Sequence, residues 1–429
     1  MSSPRDLPSA ADLKLLSQHL MRADDGKLLR VTEMLDQTAP SSASNALLDP
    51  LRPRLGLLKP ARPLRFARLL LIPFDTVLVP ARAWRPGDPS LSRAVIGVLS
   101  ETVRAGMGDA ASEVDRLIAG RRTSDTGTID LAGGRLWPAA AEVLARAPAP
   151  LGWDGTGLPI TVWPAIAQAA SVVFGRAVPL RRLMEDVKLG AVSPEDAALR
   201  AVLRELPETP PEGAAMVVRM MLEQLPRSAS VLRGMITMSD DPVERRVLQR
   251  SLDRGMEQML THLEDESGVA RGLGQSSVAS AGVEVRRLAR LLEDLDADPG
   301  ASRQKPRLKQ IRDRLDGACQ ARFADGVDRD LVQPLSVPDR PVTSQQQVVL
   351  EGRARDLRVF ETAARGIGGS ARYDALLGDA ARAVEAAGTA GTLSPGRMAR
   401  LVEILQGSEA AEEVYSRHRT GGSVVRAGA

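Results

Sequence analysis

Residues 281–319 read AGVEVRRLARLLEDLDADPGASRQKPRLKQIRDRLDGAC and contain two apolar stripes with a turn between them. The first stripe has helical spacing and consists of Ala281, Val285, Leu288, Leu292 and Leu295. The second stripe consists of Leu308, Ile311, Leu315, Ala318 and Cys319. Because Pro299 and Gly300 interrupt helices, the pattern predicts an antiparallel helical hairpin. We expect its two facing helices to bury Leu288, Leu292, Ile311 and Leu315.

Helix-start signals continue on both sides of this hairpin. Ser193-Pro194 and Asp241-Pro242 each place a capping side chain before a proline, which is tolerated in the first helical turn. The helix after Asp241 has a single apolar stripe that consists of Leu248, Leu252, Met256, Met259 and Leu263. These signals predict that helices dominate the C-terminal half of the chain.

The two ends of the chain show the same type of pattern. Residues 11–37 predict a pair of helices around a turn at Ala23 to Gly26. Further helices are expected over about 344–365, 371–387 and 395–406, and the first of these ends at Gly366-Ile367-Gly368-Gly369. By contrast, residues 326–342 contain Pro334, Pro338 and Pro341 and predict an irregular crossing between subdomains.

The aromatic residues are concentrated where helical patterns are weaker. All four tryptophans lie within residues 84–163, and they are Trp84, Trp137, Trp153 and Trp163. Residues 120–135 have no helical period and predict a loop or a small hairpin. Trp137-Pro138 and Trp163-Pro164 each predict a helix start with proline in the first turn. The sequence does not decide whether the tryptophans belong to a core or to an interface.

These patterns predict a mainly α, multi-helical fold of antiparallel helical hairpins, with a less regular aromatic-bearing region near 60–175. Stacking of the hairpins as a solenoid is one arrangement that fits them. Five segments are expected: a helical pair with a Pro-rich linker (1–58), a Trp-bearing helical region (59–175), a helical hairpin region (176–330), a C-terminal helical region (331–418) and a flexible tail (419–429).

Composition narrows the cellular setting. Cys319 is the only cysteine, which excludes an intramolecular disulfide and fits a reducing compartment. Residues 1–8 lack a basic region followed by an apolar run, and no apolar stretch is long enough to predict a membrane span. Arginine greatly outnumbers lysine, and alanine, glycine and proline are abundant, which is typical of a GC-rich bacterial genome. We therefore expect a cytoplasmic bacterial protein without a transmembrane segment.

A search for catalytic or metal-binding chemistry finds no site. His19, His262 and His418 are far apart in sequence and form no zinc-binding pair. Cys319 lies on the apolar stripe of its helix, which favours a buried, inert thiol. Asp294 to Asp298 imitates the start of a calcium loop, but the positions that need Gly and Glu hold Pro and Lys. We predict no catalytic residue, no cofactor and no metal.

Two basic segments are candidate surfaces for an anion or a partner. The first covers residues 52–68 and contains Arg52, Arg54, Lys59, Arg62, Arg65 and Arg68, with no acidic residue among them. The second covers residues 303–314 and includes Arg303, Lys305, Arg307 and Lys309. Phosphate binding would use such residues. Each segment also has a structural alternative. In the first, the apolar stems of the arginines would cover a core while their charged groups reach solvent. In the second, a solvated helix face would pair with the acidic end of the preceding helix.

Three functional hypotheses follow from these observations. The first is a non-catalytic interaction or scaffold protein that binds a protein partner on a helical-array surface. The second is binding of nucleic acid or of an anionic membrane surface through the two basic segments. The third is an enzyme whose site is assembled from residues that are distant in sequence.

Overall fold

A computed structural model describes the chain at residues 10–23, 25–37, 47–58, 60–189, 199, 202–203, 206, 209–225, 228–265, 269–336, 342–390 and 393–421. In these residues the fold is mainly α, as the sequence predicts. The helix start expected at Ser193-Pro194 and the tail of 422–429 lie outside the described residues.

The helices begin and end as follows. The first nine are α1 (Ala10–Arg22), α2 (Asp25–Gln37), α3 (Arg52–Leu58), α4 (Phe66–Leu71), α5 (Ile96–Met107), α6 (Asp109–Ile118), α7 (Thr126–Ala145), α8 (Trp163–Leu189) and α9 (Pro211–Gln224). They are followed by α10 (Ser228–Met238), α11 (Pro242–Glu264), α12 (Val269–Gln275), α13 (Val278–Ala297), α14 (Lys305–Val327), α15 (Ser344–Arg365), α16 (Ser370–Ala390), α17 (Pro395–Gln406) and α18 (Ser408–Gly421).

The strands are short. β1 (Leu78–Val79) pairs in parallel with β2 (Leu91–Ser92), with Leu78 opposite Leu91. Directly after β2 begins, Ser92 caps the helical turn that leads into α5 by accepting a hydrogen bond from the Ala94 amide. The 3-10 helices are Asp49–Leu51, Ile72–Phe74, Ala81–Ala83, Arg93–Val95, Trp153–Thr156, Ile160–Val162 and Pro299–Gln304.

The chain divides into two compact units, each collected from separate parts of the sequence. The terminal unit contains residues 1–59, 265–293 and 303–429, and the central unit contains residues 60–264 and 294–302. In the central unit α7 packs along α8, and α9 packs against both α8 and α11. In the terminal unit α17 packs against α15, α16 and α18, while α14 packs against α12 and α15. The five-segment division and the solenoid stacking stay predictions.

Helices α13 and α14 run antiparallel as the sequence predicts, whereas the packing of their two apolar stripes against each other stays a prediction. Leu288, Leu292, Ile311 and Leu315 are all buried. Near the turn, the Arg312 guanidinium donates a hydrogen bond of 2.9 Å to the Leu292 carbonyl oxygen. At the far end, a Cβ on Gly326 would lie 2.7 Å from a Val278 methyl group. Because contacts join late residues of α13 to early residues of α14, and the reverse, the two helices are antiparallel.

The interval of 120–135 differs from its prediction. The loop ends at Asp125, which accepts hydrogen bonds from the Thr128 backbone and side chain and so caps α7. Helix α7 then begins at Thr126, so the prediction of a loop or hairpin up to residue 135 is wrong. The loop residues before Asp125 pair with a distant segment, since the Leu64 amide donates to the Arg121 carbonyl oxygen at 2.7 Å. Glycines within α7 conceal its helical period.

The two Trp-Pro sequences play different roles. Pro138 lies inside α7, so the predicted helix start at this position is wrong. Trp163 does begin α8, with Pro164 in its first turn as predicted. The difference arises at Gly133, where the absent side chain leaves room for the Trp137 ring one turn later on the same helix.

All four tryptophans belong to the core. Their exposed fractions are 6% for Trp84, 1% for Trp137, 3% for Trp153 and 1% for Trp163. The indole N–H of Trp137 donates to the Leu69 carbonyl oxygen at 3.2 Å, which fixes α7 against α4. The tryptophans are therefore not an exposed binding surface.

The crossing expected at 326–342 is helical over most of its described part. Helix α14 continues through a π-helical turn, Asp328–Val332, and a last helical turn, Gln333–Leu335. Leu331 and Leu335 are buried, so packing keeps this segment helical through Leu335 in spite of Pro334. Residues 337–341 lie outside the described residues.

Replacing Leu292 by Ala should lower the free energy of unfolding by about 2–5 kcal/mol, because the substitution leaves a cavity in the hairpin core. The measurement is a urea denaturation curve of the full chain. Val283→Ala is the matched control, since Val283 lies on the same helix and is 70% exposed. A loss below about 0.5 kcal/mol for Leu292→Ala, the usual range of surface substitutions, would contradict the packing.

Replacing the adjacent glycines Gly133 and Gly134 of α7 by alanine should change the stability in opposite directions. A Cβ at Gly133 would lie 2.5 Å from the Trp137 ring, whereas a Cβ at Gly134 would meet nothing within 4 Å. Gly133→Ala should therefore destabilise by roughly 1–3 kcal/mol through overpacking. Gly134→Ala should stabilise by about 0.5–1 kcal/mol through its helix preference. Thermal denaturation of both variants would test this, and an equal response at both positions would contradict it.

Candidate partner-binding surfaces

A groove lies between α1 and α2 in the terminal unit. Leu20 of α1 and Leu28 of α2 are buried in one core cluster. Beside that cluster lies a shallow groove of about 530 Å³, and Leu20 and Val31 belong both to the cluster and to the lining of the groove. Its lining residues are His19, Leu20, Ala23, Lys27, Arg30, Val31 and Met34.

The groove has an apolar floor and a basic rim. On α2 the lining residues follow the spacing of one helix face, with Val31 and Met34 beside Lys27 and Arg30. Met34 is 66% exposed and adds an apolar side chain to this surface. No carboxylate is among the lining residues. The groove can therefore accept apolar side chains that are flanked by negative charge.

The apolar surface extends beyond the groove along α1. Leu15 is 55% exposed and Leu16 is 47% exposed. They lie one helical turn before His19 and Leu20, on the same side of α1. A partner helix longer than the groove would therefore meet further apolar contacts in this direction.

A buried ion pair holds the turn between α1 and α2. Arg54 of α3 is 3% exposed, and its Nε donates to Asp25 at 2.9 Å. The same guanidinium donates to the Met21 carbonyl oxygen at 3.2 Å. The other carboxylate oxygen of Asp25 accepts from the Ser277 amide at 3.2 Å. Arg54, a residue of the first basic segment, is therefore engaged inside the terminal unit, where it stabilises the turn that joins the two helices of the groove.

The rest of the first basic segment is not a row of fully exposed guanidinium groups. Arg52, Arg62, Arg65 and Arg68 are half-buried, and each makes interactions within the chain. The Arg68 guanidinium, for example, donates to the Pro63 carbonyl oxygen. Residues 52–58 belong to the terminal unit and residues 60–68 to the central unit. Lys59 lies outside the described residues.

The second basic segment is more exposed. Arg303, Lys305 and Lys309 are exposed, whereas Arg307 is half-buried and interacts within the chain. Lys305 and Lys309 are one turn apart on α14 and therefore share a face. Among the residues that the structure describes, no carboxylate forms an ion pair with Arg303, Lys305 or Lys309. This patch is the part of the predicted anion-binding set that is open to solvent.

The acidic end of α13 has a structural role. Asp294 accepts hydrogen bonds from the Ala229 amide at 3.2 Å and from the Ser228 hydroxyl at 3.3 Å. Burial raises the pKa of Asp294 in spite of these bonds. Asp298 forms an ion pair with Arg233 at 2.5 Å. These two carboxylates fasten the start of α10 in the central unit, which explains the acidic run that imitates a calcium loop.

The side chains with reactive groups are held in inert surroundings. Burial raises the pKa of the Cys319 thiol to about 12, so the nucleophilic thiolate is absent at neutral pH. Burial also raises the pKa of Tyr373, whose hydroxyl donates to Asp316 at 3.2 Å. Phe323 packs edge-on against the Tyr373 ring, with ring centroids 6.5 Å apart. This cluster connects α14 to α16 and has the character of a core.

One histidine has a carboxylate partner that sequence reasoning did not find. His418 of α18 lies 2.8 Å from Glu385 of α16, which also binds Arg417. Burial on its own would raise the pKa of Glu385, but the bonds from His418 and Arg417 lower it overall. The residues are 33 positions apart on two helices, so only the tertiary fold reveals the pair. It fastens α18 to α16 and carries no further catalytic group.

A second exposed apolar feature lies on the connection between α7 and α8 in the central unit. Leu151 is 95% exposed, and Ile160 is 44% exposed. Beneath them the rings of Trp153 and Trp163 are buried and meet edge to face, with centroids 5.6 Å apart. The Pro and Gly residues of 147–159 are a sequence signal for a loop, but only the structure shows an ordered loop with an exposed leucine.

Comparisons complete the description of the site. Over the described parts of the chain, His, Cys, Asp and Glu side chains form no group of three or more that could hold a metal ion. No described helix has the length and apolar character needed to cross a bilayer. Comparisons with protein-family models, curated proteins and solved structures found no match.

Proposed function

We propose that this chain is a non-catalytic interaction or scaffold protein, and that the groove between α1 and α2 binds a helical segment of a protein partner. The observation that carries the proposal is the open, apolar groove, with the exposed Met34 among its lining residues. Exposed apolar surface that is rimmed by polar residues is typical of interaction sites. An amphipathic helix fits such a groove by inserting side chains at spacings of three and four residues.

The rim of the groove favours an acidic partner. Arg30 and Lys27 lie on α2 beside the apolar floor; Arg30 is exposed, and Lys27 also interacts within the chain. Asp25 is bound to Arg54, and Asp36 is buried. Complementary charge would raise the rate of association and would fix the orientation of the bound helix. We therefore expect carboxylates beside the apolar anchors of the partner.

The proposal includes a cellular setting. The single cysteine and the abundance of Arg, Ala, Gly and Pro support a bacterial cytoplasmic protein. In such a setting a scaffold role requires only binding, and the inert surroundings of Cys319 and Tyr373 fit that requirement.

Acidic substitutions in the groove, at Met34, and beside it, at Leu16, should weaken partner binding without unfolding the chain. Met34→Asp and Leu16→Asp place a charge on exposed apolar positions, so the fold should tolerate them. We expect each to reduce binding at least about tenfold, equivalent to about 1.4 kcal/mol. The measurement is quantitative affinity capture by the full chain from cells that produce it. Val348→Asp is the matched control, since Val348 is also in the terminal unit and is 67% exposed.

Two outcomes would overturn the groove as the recognition surface. One is that captured proteins are unchanged in both groove variants. The other is that Val348→Asp removes the same proteins, which would indicate a general effect of added negative charge on this unit.

The exposed basic patch supports a second candidate function, the binding of nucleic acid or of an anionic membrane surface. Arg303, Lys305 and Lys309 supply cations without carboxylate partners in the described chain. In the first basic segment Arg62, Arg65 and Arg68 are half-buried and interact within the chain, so this segment supports the candidate function less than the exposed patch does. Near-neutral total charge, at +3, weighs against electrostatic binding as the main role.

Replacing Arg303, Lys305 and Lys309 together by Gln should weaken any binding to single-stranded RNA or to anionic vesicles and should reduce its salt dependence, because fewer counterions are released. The readout is fluorescence anisotropy for RNA and co-sedimentation for vesicles, at several salt concentrations. A matching variant, in which Gln replaces Arg62, Arg65 and Arg68 together, tests the first segment in the same way. Salt-independent binding, or no binding at low salt, would dismiss this function.

A further inference from the structure

We infer that the helix bound in the groove of α1 and α2 is α18 of a second copy of this chain, lying parallel to α2. The inference rests on the proposed function, because it names the occupant of the proposed groove. Both surfaces belong to the terminal unit. Within one chain, Met34 in the groove and Glu412 on α18 are both exposed, so the contact forms between two copies.

The exposed charges of α18 change sign along the helix. Its first two turns carry three exposed carboxylates, which are Glu409, Glu412 and Glu413. None of the three forms an ion pair with another residue of the described chain. Arg417 and Arg419 are exposed near the end of α18, where Arg417 also binds Glu385 of α16. The outer face of α18 is therefore negative at its start and positive at its end.

The exposed charges of α2 follow the opposite order. Lys27 and Arg30 come first and Glu33 follows, and both Lys27 and Glu33 also interact within the chain. Parallel helices therefore bring the cations of α2 to the carboxylates of α18, and bring Glu33 towards the arginines at the end of α18. An antiparallel arrangement would bring like charges together, which is unfavourable. Residues 10–24 add no net charge in sequence, since they contain two cations and two acids, which are Lys14, Arg22, Asp12 and Asp24.

The spacing of the residues on the two helices also matches. The two exposed cations of α2 are three positions apart, as are the first two carboxylates of α18. Because a helix rises about 1.5 Å per residue, Met34 lies about 6 Å beyond Arg30 along α2. By the same measure, Tyr415 lies about 4.5 Å beyond Glu412 along α18. When Arg30 pairs with Glu412, Tyr415 is therefore brought beside Met34.

Tyr415 and Met34 supply the apolar part of the contact. Tyr415 is 40% exposed, and its ring lies near α17, where a Cβ on Gly396 would be 4.0 Å from it. A tyrosine covers a large area with few torsion angles to fix, and a methionine sulfur interacts favourably with an aromatic ring. Leu16 of α1 is also exposed and lies towards the Met34 end of the groove, since the two helices follow each other directly in the chain and both line the groove.

Charge reversal in the purified full chain tests this pairing. Sedimentation velocity would be measured over a range of concentrations for wild type, Arg30→Glu, Glu412→Arg and the double variant that carries both changes. A head-to-tail contact produces rings or longer assemblies, so the average mass should rise with concentration. Arg286→Glu is the matched control, because Arg286 is an exposed arginine of the same unit on α13. Circular dichroism would verify that each variant is folded.

Wild type should self-associate. Each single reversal should raise the dissociation constant of self-association at least about tenfold, because it places like charges together. The double variant should recover most of the lost affinity, because opposite charges face each other again. Arg286→Glu should behave as wild type.

Any of the following results would overturn the inference: a wild type that stays monomeric, self-association that either single reversal leaves unchanged, an equal loss in Arg286→Glu, or no recovery in the double variant. The proposed function is tested separately by capture of other proteins. If wild type stays monomeric while Met34→Asp still removes captured proteins of different sequence, the groove binds another partner and only this inference fails. If capture does not depend on Met34 either, the proposed groove fails as well.

Discussion

Close approach of helices at glycine is the constraint on which both units depend. A Cβ on Gly213 would lie 2.7 Å from a valine of α8, and one on Gly255 would lie 3.2 Å from the Arg219 amide nitrogen. In the terminal unit, a Cβ on Gly282 would lie 3.3 Å from the Phe360 Cα. Protein interiors are close-packed, and dispersion falls steeply with distance. A chain with few large side chains therefore fills its cores by bringing helix backbones together.

Arginine side chains supply hydrogen-bond donors to the backbone carbonyl groups that this packing buries in irregular segments. Backbone carbonyl groups outside helices need donors when they are buried. In the central unit Arg219 is fully buried, forms an ion pair with Glu223 at 3.0 Å and donates to the Pro89 carbonyl oxygen at 3.3 Å. Arg254 donates to the Gly87 carbonyl oxygen of the same segment. The preference for arginine over lysine thus has a structural use, because one guanidinium can bind a carboxylate and a carbonyl oxygen together.

The sequence predicts the parts of the fold that repeat with the period of a helix. The stripe of α13 is unbroken by glycine at its core positions, and its residues are buried as the pattern predicts. Helix α7 was missed because Gly133, which a pattern reading treats as a helix breaker, is the residue that admits the Trp137 ring. The candidate binding surfaces are likewise only partly predictable from the sequence. Basic residues are visible in sequence, but the burial of Arg54 depends on Asp25, which lies 29 positions away.

The functional inference rests on what the fold leaves exposed. Each core uses its reactive side chains for packing, as the raised pKa of the buried Cys319 thiol shows. Met34 and Leu151 are exposed although each is carried by an element with a well-packed inner face, so their exposure does not result from a missing core. An apolar side chain exposed on an ordered support gains most when a partner removes it from water. The apolar groove of α1 and α2, which the packing of the terminal unit leaves uncovered, is therefore the basis of the proposed binding of a partner helix.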